Sequence, residues 1–313
     1  MRNLLLFFNE AKSNNIMLDH LSKEEGTVAF CVFKPVNVLL RMFRRFHLLS
    51  GLPGIGIWLL PWVSDIQNFE TIIMIASPYS IQILQWIKKK HPDVRCINYY
   101  WDSLKVSGYP YKESSCFENW SFFEEDSKKY GMFYNPQFYV QTMNLPKKKI
   151  IYDVSYVGAD RGGLLKDRTE IVLELLELFG RQKICSFFYY VTSSQLVPDS
   201  IRKDNIISEE KYHEVVAQSR VVVDIVEKEI QWQTLRPLLA LTNKKKLITN
   251  NVGIRNEKYY SPDNIFILGE DVSEKLKDFV NSDFVSIDPN DLNYYNASSW
   301  LSRFYSNEKG GNT

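Results

Sequence analysis

Short apolar runs rich in β-branched and aromatic residues alternate along this chain with longer segments whose apolar positions recur at helical spacing. In the first half, residues 3–8, 27–33, 71–76 and 94–100 read as strands bounded by polar or turn residues. Between them, 36–49 repeats apolar side chains at Val36, Leu39, Leu40, Phe43 and Phe46. Residues 80–90 do so at Ile81, Leu84 and Ile87, and end in Lys88–Lys90, where cations suit a helix C-terminus. Residues 103–118 are polar, hold Gly108 and Pro110, and read as a loop. A strand over 116–122 and a short helix over 124–130 follow, with Gly131 as its cap.

The pattern then starts again. Strands are expected over 151–157, 184–191, 221–226, 246–249 and 264–268, and a turn over 158–163. Helices are expected over 164–179, with Gly180 just past its end, over 209–218, and from a Thr234 cap to about 243. The Pro and lysines of 144–149 mark the linker between the halves. A last helix over 290–305 carries Tyr294, Ala297, Leu301 and Phe304 on one face.

Strand–helix–strand alternation on this scale means parallel sheets covered by helices on both faces. The expected fold is therefore α/β: two doubly wound, Rossmann-like domains facing a cleft, with the C-terminal helix packing back across the junction. The boundaries are 1–145, 146–288 and 289–313.

Composition narrows the possibilities. A chain of 313 residues with 45% hydrophobic and 24% charged residues can bury two cores, and a net charge of +1 gives no overall field to attract nucleic acid. The four cysteines are scattered without a C-x-x-C pair and the four histidines are isolated, so a zinc signature is missing. The apolar run before Asn9 is too short for a signal peptide, and 51–62 is too short to span a bilayer. A cytoplasmic protein is expected.

Four stretches carry possible chemistry. In 152–168 a strand runs into Gly158 and a glycine-containing turn, then a helix start. Backbone there can approach a phosphate closely, with Arg161, Lys166 and Arg168 adding charge. An ordinary glycine turn with solvated charges is the alternative. In 221–251 a strand delivers Asp224 and Glu227 toward its carboxyl end. A helix with Thr234 and Arg236 in its first turn follows, then a strand ending in Thr249 and Asn250. An arginine at a helix start opposes the dipole, which a bound diphosphate would offset. A carboxylate such as Glu227 or Glu229 would offset it equally. In the third stretch, Asp102 follows a first-half strand and is the candidate general base, with His20 and Glu10 behind it. In 41–62, three arginines and His47 precede bulky apolar residues, which suits either an anionic membrane surface or a basic helix face beside a core segment.

Residues 224–251 resemble the donor-binding segment of GT-B-type glycosyltransferases of bacterial capsule, exopolysaccharide and O-antigen clusters. The likeness rests on Asp224, Thr234, Arg236, Ala240–Leu241 and Lys246–Thr249, all in register. Weaker similarities lie at Tyr99–Asp102, 125–131, 152–158 and Trp300–Leu301. The resemblance implies transfer of sugar from a nucleotide-sugar, a uridine diphosphate sugar, to a surface polysaccharide or its lipid-linked precursor at the inner face of the cell membrane. Residues 1–145 would take the acceptor and 146–288 the donor. The chain has no D-x-D pair, so no metal or other cofactor is implied. The acid that grips the donor ribose in the family aligns with Leu239, which leaves Glu227 or Glu229 for that role. It also leaves a second reading, a degenerate homologue that binds glycan or a partner enzyme.

Overall fold

The computed structural model describes residues 2–7, 18–140, 145–160, 166–226 and 234–306. They form two compact units, Met1–Thr142 with Asn296–Thr313, and Met143–Tyr295. The piece 289–313 is thereby divided after Tyr295.

In the first unit, β1 (Asn3–Phe7), β2 (Thr27–Cys31), β3 (Thr71–Ile75), β4 (Arg95–Tyr100), β5 (Glu118–Ser121) and β6 (Phe133–Tyr134) make a wholly parallel sheet of order β2-β1-β3-β4-β5-β6. Its helices are α1 (Val38–Leu49), α2 (Ser80–Lys90), α3 (Leu104–Ser107) and α4 (Glu124–Tyr130). Leu4, Leu6, Ile72 and Met74 project from one face of the sheet into a core shared with Ile83, Leu84 and Ile87 of α2. α4 stops where expected, at Gly131 in the left-handed conformation (φ 63°).

The second unit repeats the plan. β7 (Tyr152–Ala159), β8 (Ser186–Val191), β9 (Arg202–Lys203), β10 (Ser219–Asp224), β11 (Lys246–Thr249) and β12 (Ile265–Ile267) form a second parallel sheet of order β12-β11-β10-β7-β8-β9. Helices α5 (Lys166–Gln182), α6 (Glu209–Ala217), α7 (Leu235–Thr242), α8 (Leu276–Asn281) and α9 (Pro289–Asn293) connect or follow the strands. Val154, Val221, Val223 and Ile248 pack with Val172, Leu175 and Phe179 of α5. The order reverses between β7 and β10. In an open parallel sheet such a reversal leaves a crevice beyond the strands' carboxyl ends, where ligands bind.

The chain ends in the first unit with α10 (Ala297–Arg303). Trp300 is fully buried there, its ring stacked on Phe138 at 4.2 Å and edge-on to Tyr99 at 5.1 Å. Asn135 donates to the Trp300 carbonyl at 3.0 Å, and Arg303 donates to Asn135 at 2.7 Å. Arg95, held bidentately by Glu118, donates its third bond to the Phe304 carbonyl at 2.6 Å.

Several sequence expectations need correction. The helix expected to stop at Gly180 runs to Gln182, because Lys183 takes the left-handed position (φ 56°) and Ile184 closes the end on the Phe179 carbonyl at 2.9 Å. The single final helix is two, since Asn296 caps a new start by accepting from the Ser299 amide. Gly158 lies inside β7 rather than in a turn. The loop over 103–118 contains α3, and the two-residue strands β6 and β9 carry too little pattern to be foreseen.

Candidate functional site

Asp224 ends β10, two strand positions from the buried Val222, and its own side chain is only 2% exposed. Both of its carboxylate oxygens are occupied. Thr234 donates its hydroxyl to one at 2.7 Å, and Arg236 donates to the other at 2.9 Å. Thr234 is also the N-cap of α7, its hydroxyl oxygen accepting from the Arg236 amide at 3.3 Å. One threonine therefore fixes the helix start against the end of β10.

Arg236 reaches further. Its second nitrogen donates to the carbonyl of Val157 in β7 at 3.0 Å. The guanidinium thus bridges the two strands between which the sheet order reverses. Its side chain is 25% exposed. Burial opposes its charge, but Tyr212, Asp224 and Tyr156 outweigh that and move its pKa up. The anion that offsets its position at a helix start is Asp224. The carboxylates considered for that role from the sequence, Glu227 and Glu229, lie outside the described residues.

Arg168, in the first turn of α5, donates to the Ala159 carbonyl at 3.1 Å. Two guanidiniums therefore hold alternate carbonyls at the end of β7. They lie about Tyr156, whose hydroxyl pKa burial raises and both arginines lower. The Arg168 Nε–H is buried and has no hydrogen-bond partner among the described residues. A buried donor left unpaired costs about 1–3 kcal/mol. Beyond Ala159, the buried Asp160 accepts from the Thr192 hydroxyl at the end of β8.

Gly158 serves a neighbour. A Cβ placed there would lie 2.3 Å from the Tyr156 hydroxyl and 2.6 Å from Cζ. The tyrosine ring leans along the strand into the space a side chain would fill.

A groove of about 970 Å³ runs along α5, lined by Ile171, Leu175 and Leu178 on one side. Asn250, Leu268 and Gly269 line it where β11 and β12 end. Asn250 is fixed by a reciprocal pair with Val226, both bonds 2.8 Å.

The structure thus brings together Gly158, Arg168, Asp224, Thr234 and Arg236. Thr249 is paired in register with Asp224, but it is fully buried and its hydroxyl accepts from the Asn251 amide at 3.1 Å. Lys166 opens α5, and Arg161 lies outside the described residues. In the first unit Asp102 is exposed, two residues past β4; burial, and after it the charge of Asp102, raise the pKa of Tyr109. His20 is half-buried in a helical turn over 18–21, and burial, then Lys23, lower its pKa. Glu10 lies outside the described residues. Tyr156 was missed by the sequence reading, although a large side chain two positions before a strand glycine was an available signal. Asn250 was read from the sequence only as a strand end.

No protein-family model matches the chain, and no curated protein is similar to it in sequence. Solved structures do match. A structure of T4 phage β-glucosyltransferase, described for its substrate binding and proposed catalytic mechanism, aligns with a TM-score of 0.54 at 13% identity, over 98% of this chain and 99% of that one. A crystal structure of the T4 phage enzyme in complex with its UDP-glucose substrate aligns with a TM-score of 0.56, at the same identity and coverage. The fold is GT-B. The two-sheet plan expected from the sequence and the resemblance to that glycosyltransferase architecture both stand at the level of fold.

Proposed function

We propose that this chain is a glycosyltransferase that takes sugar from a nucleotide-sugar donor, a uridine diphosphate sugar, bound by the second unit. The observation that supports this best is the buried Arg168 Nε–H, without a hydrogen-bond partner among the described residues, at the same strand end that Arg236 holds. A diphosphate in the switch-point crevice would complete it once the Arg168 side chain turns to present that N–H. The likeness to an enzyme whose substrate is UDP-glucose, over nearly the whole of both chains, supports the choice of donor.

In this reading the remaining N–H groups of Arg168 and Arg236 and the start of α7 take the diphosphate oxygens. Arg161 and Lys166 are assigned supporting places around them, and the buried Thr249 backs the strand end beside Asp224. The base lies at the groove end formed by Asn250, Leu268 and Gly269. The acceptor hydroxyl attacks the anomeric carbon, the bond from that carbon to the diphosphate oxygen breaks, and the leaving diphosphate is stabilised by the guanidiniums without a metal. Asp102 takes the acceptor's proton, with His20 and Glu10 as the other candidates. The acceptor is a bacterial surface polysaccharide or its lipid-linked precursor, and the enzyme works at the inner face of the membrane.

Leu239 favours a second reading. It is 4% exposed, in the buried face of α7 with Leu238, Ala240 and Leu241, so no acid stands there to hold a ribose. A protein that retained the fold and lost transfer would look like this, unless Glu227 or Glu229 takes the role. Release of the free nucleoside diphosphate from a panel of nucleotide-sugars, with and without glycan acceptors, separates the two. Turnover of any donor excludes the degenerate reading, and binding without turnover of any donor supports it.

A further inference from the structure

α1 is turned inside out. A helix that packs on a sheet normally buries its apolar stripe and presents charge to water. In α1 the buried residues are Arg44 and Leu48. Arg44 lies over the Phe33 ring at 4.2 Å and donates to the Lys34 carbonyl at 3.2 Å, so its charge is spent against the body of the unit. The large apolar side chains face solvent instead: Leu39 is 69% exposed, Met42 65%, Phe43 65% and Phe46 69%. Val38 and Leu49 are exposed with them. At 100° per residue, these six residues cover an unbroken arc of about 140°. Its centre points away from the buried Arg44 and Leu48.

The helix is well made apart from this inversion. Asn37 caps it by accepting from the Leu40 amide at 2.9 Å, and His47 is fixed near its end by Trp58 at 2.8 Å and the Pro53 carbonyl at 2.9 Å. Leu52 and Ile57 in the segment that follows are exposed as well. An apolar patch of this size on a rigid, capped helix marks a contact surface.

Charge decides what it contacts. No Asp or Glu occurs between Glu25 and Asp65, whereas Lys34, Arg41, Arg44 and Arg45 do. Arg41 and Arg45 lie along one edge of the apolar arc and both are exposed. A second copy of the same face would set these arginines against each other with no carboxylate of the patch to separate them. A bilayer containing anionic lipid supplies both partners at once, acyl chains for Leu39, Met42, Phe43 and Phe46 and headgroups for the flanking arginines. We propose that the exposed face of α1 seats the protein on an anionic lipid bilayer. This rests on the first unit alone and stands whether or not the second unit binds a nucleotide-sugar.

The test is flotation of the full chain with phosphatidylcholine vesicles and with vesicles that also contain phosphatidylglycerol. The protein is expected to float with the second and not the first. Phe43→Ser with Phe46→Ser should weaken that binding about tenfold or more. Arg41→Ala and Arg45→Ala should each weaken it about fivefold and reduce its salt sensitivity. All four side chains are solvent-exposed, so the variants should melt as the wild type does, which separates lost binding from lost folding. Failure to float with either vesicle overturns the proposal. So does binding that the variants leave intact. Concentration-dependent dimerisation abolished by Phe43→Ser with Phe46→Ser, without vesicle binding, would assign the face to a second copy instead.

Discussion

The Arg236 guanidinium sits 2.9 Å from a carboxylate oxygen of Asp224 and, from its other side, 3.0 Å from the Val157 carbonyl. One side chain therefore ties β10, β7 and the start of α7 at the point where the sheet order reverses. This gives Arg236 a structural role in addition to any part in binding. Removing it leaves the nearly inaccessible Asp224 carboxylate with Thr234 as its sole remaining hydrogen-bond donor among those described above. Arg236→Ala is expected to destabilise the protein by about 2 kcal/mol, below the cost of breaking a fully buried pair because Arg236 is partly exposed. In the same variant, nucleoside diphosphate affinity should fall about 10- to 100-fold. Denaturation and calorimetric titration of Arg236→Ala, Asp224→Asn and the double variant separate the two effects. Affinity lost to no greater degree than in Asp224→Asn would make Arg236 purely structural.

Gly158 and Tyr156 should behave as one unit. Gly158→Ala places a methyl group inside contact distance of a buried ring and is expected to cost about 1–3 kcal/mol. Combining it with Tyr156→Leu should cost clearly less than the two single changes added together. Strict additivity in thermal melts would show that the ring moves aside freely.

Leu239→Glu tests the missing acid directly. Because Leu239 faces the core, the carboxylate should lower the melting temperature and leave uridine nucleotide affinity unchanged or reduced. A gain in affinity would mean that this face of α7 opens to the ligand.

Asp102→Asn should leave donor affinity nearly unchanged and lower turnover about 10²-fold or more if Asp102 removes the acceptor's proton. An unchanged rate, measured at saturating donor, would pass the role to His20 or Glu10.

Trp300 anchors the chain's end into the first unit. Trp300→Ala is expected to destabilise that unit by about 3–5 kcal/mol, through the loss of contacts with Tyr99, Phe138 and Phe304. Urea denaturation followed by tryptophan fluorescence and circular dichroism reads this out, and a shift of less than about 1 kcal/mol would contradict the packing account.

The alternation of apolar runs with helical periods made both sheets legible, because a parallel strand is buried on both faces and flanked by polar turns. β11 and α2 fall on the residues the pattern marks. Ends and breaks were less legible. Gly180 has the residue type of a helix stop, yet the burial of Phe179 one position earlier carries the helix onward and Lys183 accepts the strained position. At the candidate site, Thr234 and Arg236 could be placed at a helix start from local chemistry. That Asp224 and Val157 would meet Arg236 depended on strand order, which a local pattern does not contain. α1 shows the same limit in another form. Its period is plain in the sequence, but which side faces the body of the unit was settled by Arg44 and Phe33, a cation–ring contact between residues eleven apart.

Calorimetric titration of the unmodified protein with UDP, beside other nucleoside diphosphates and free sugars, tests the donor site most directly. The account predicts binding of UDP with a dissociation constant of roughly micromolar order, weakened in Arg168→Ala and absent for the free sugars. Binding of free sugar with no response to UDP would contradict it.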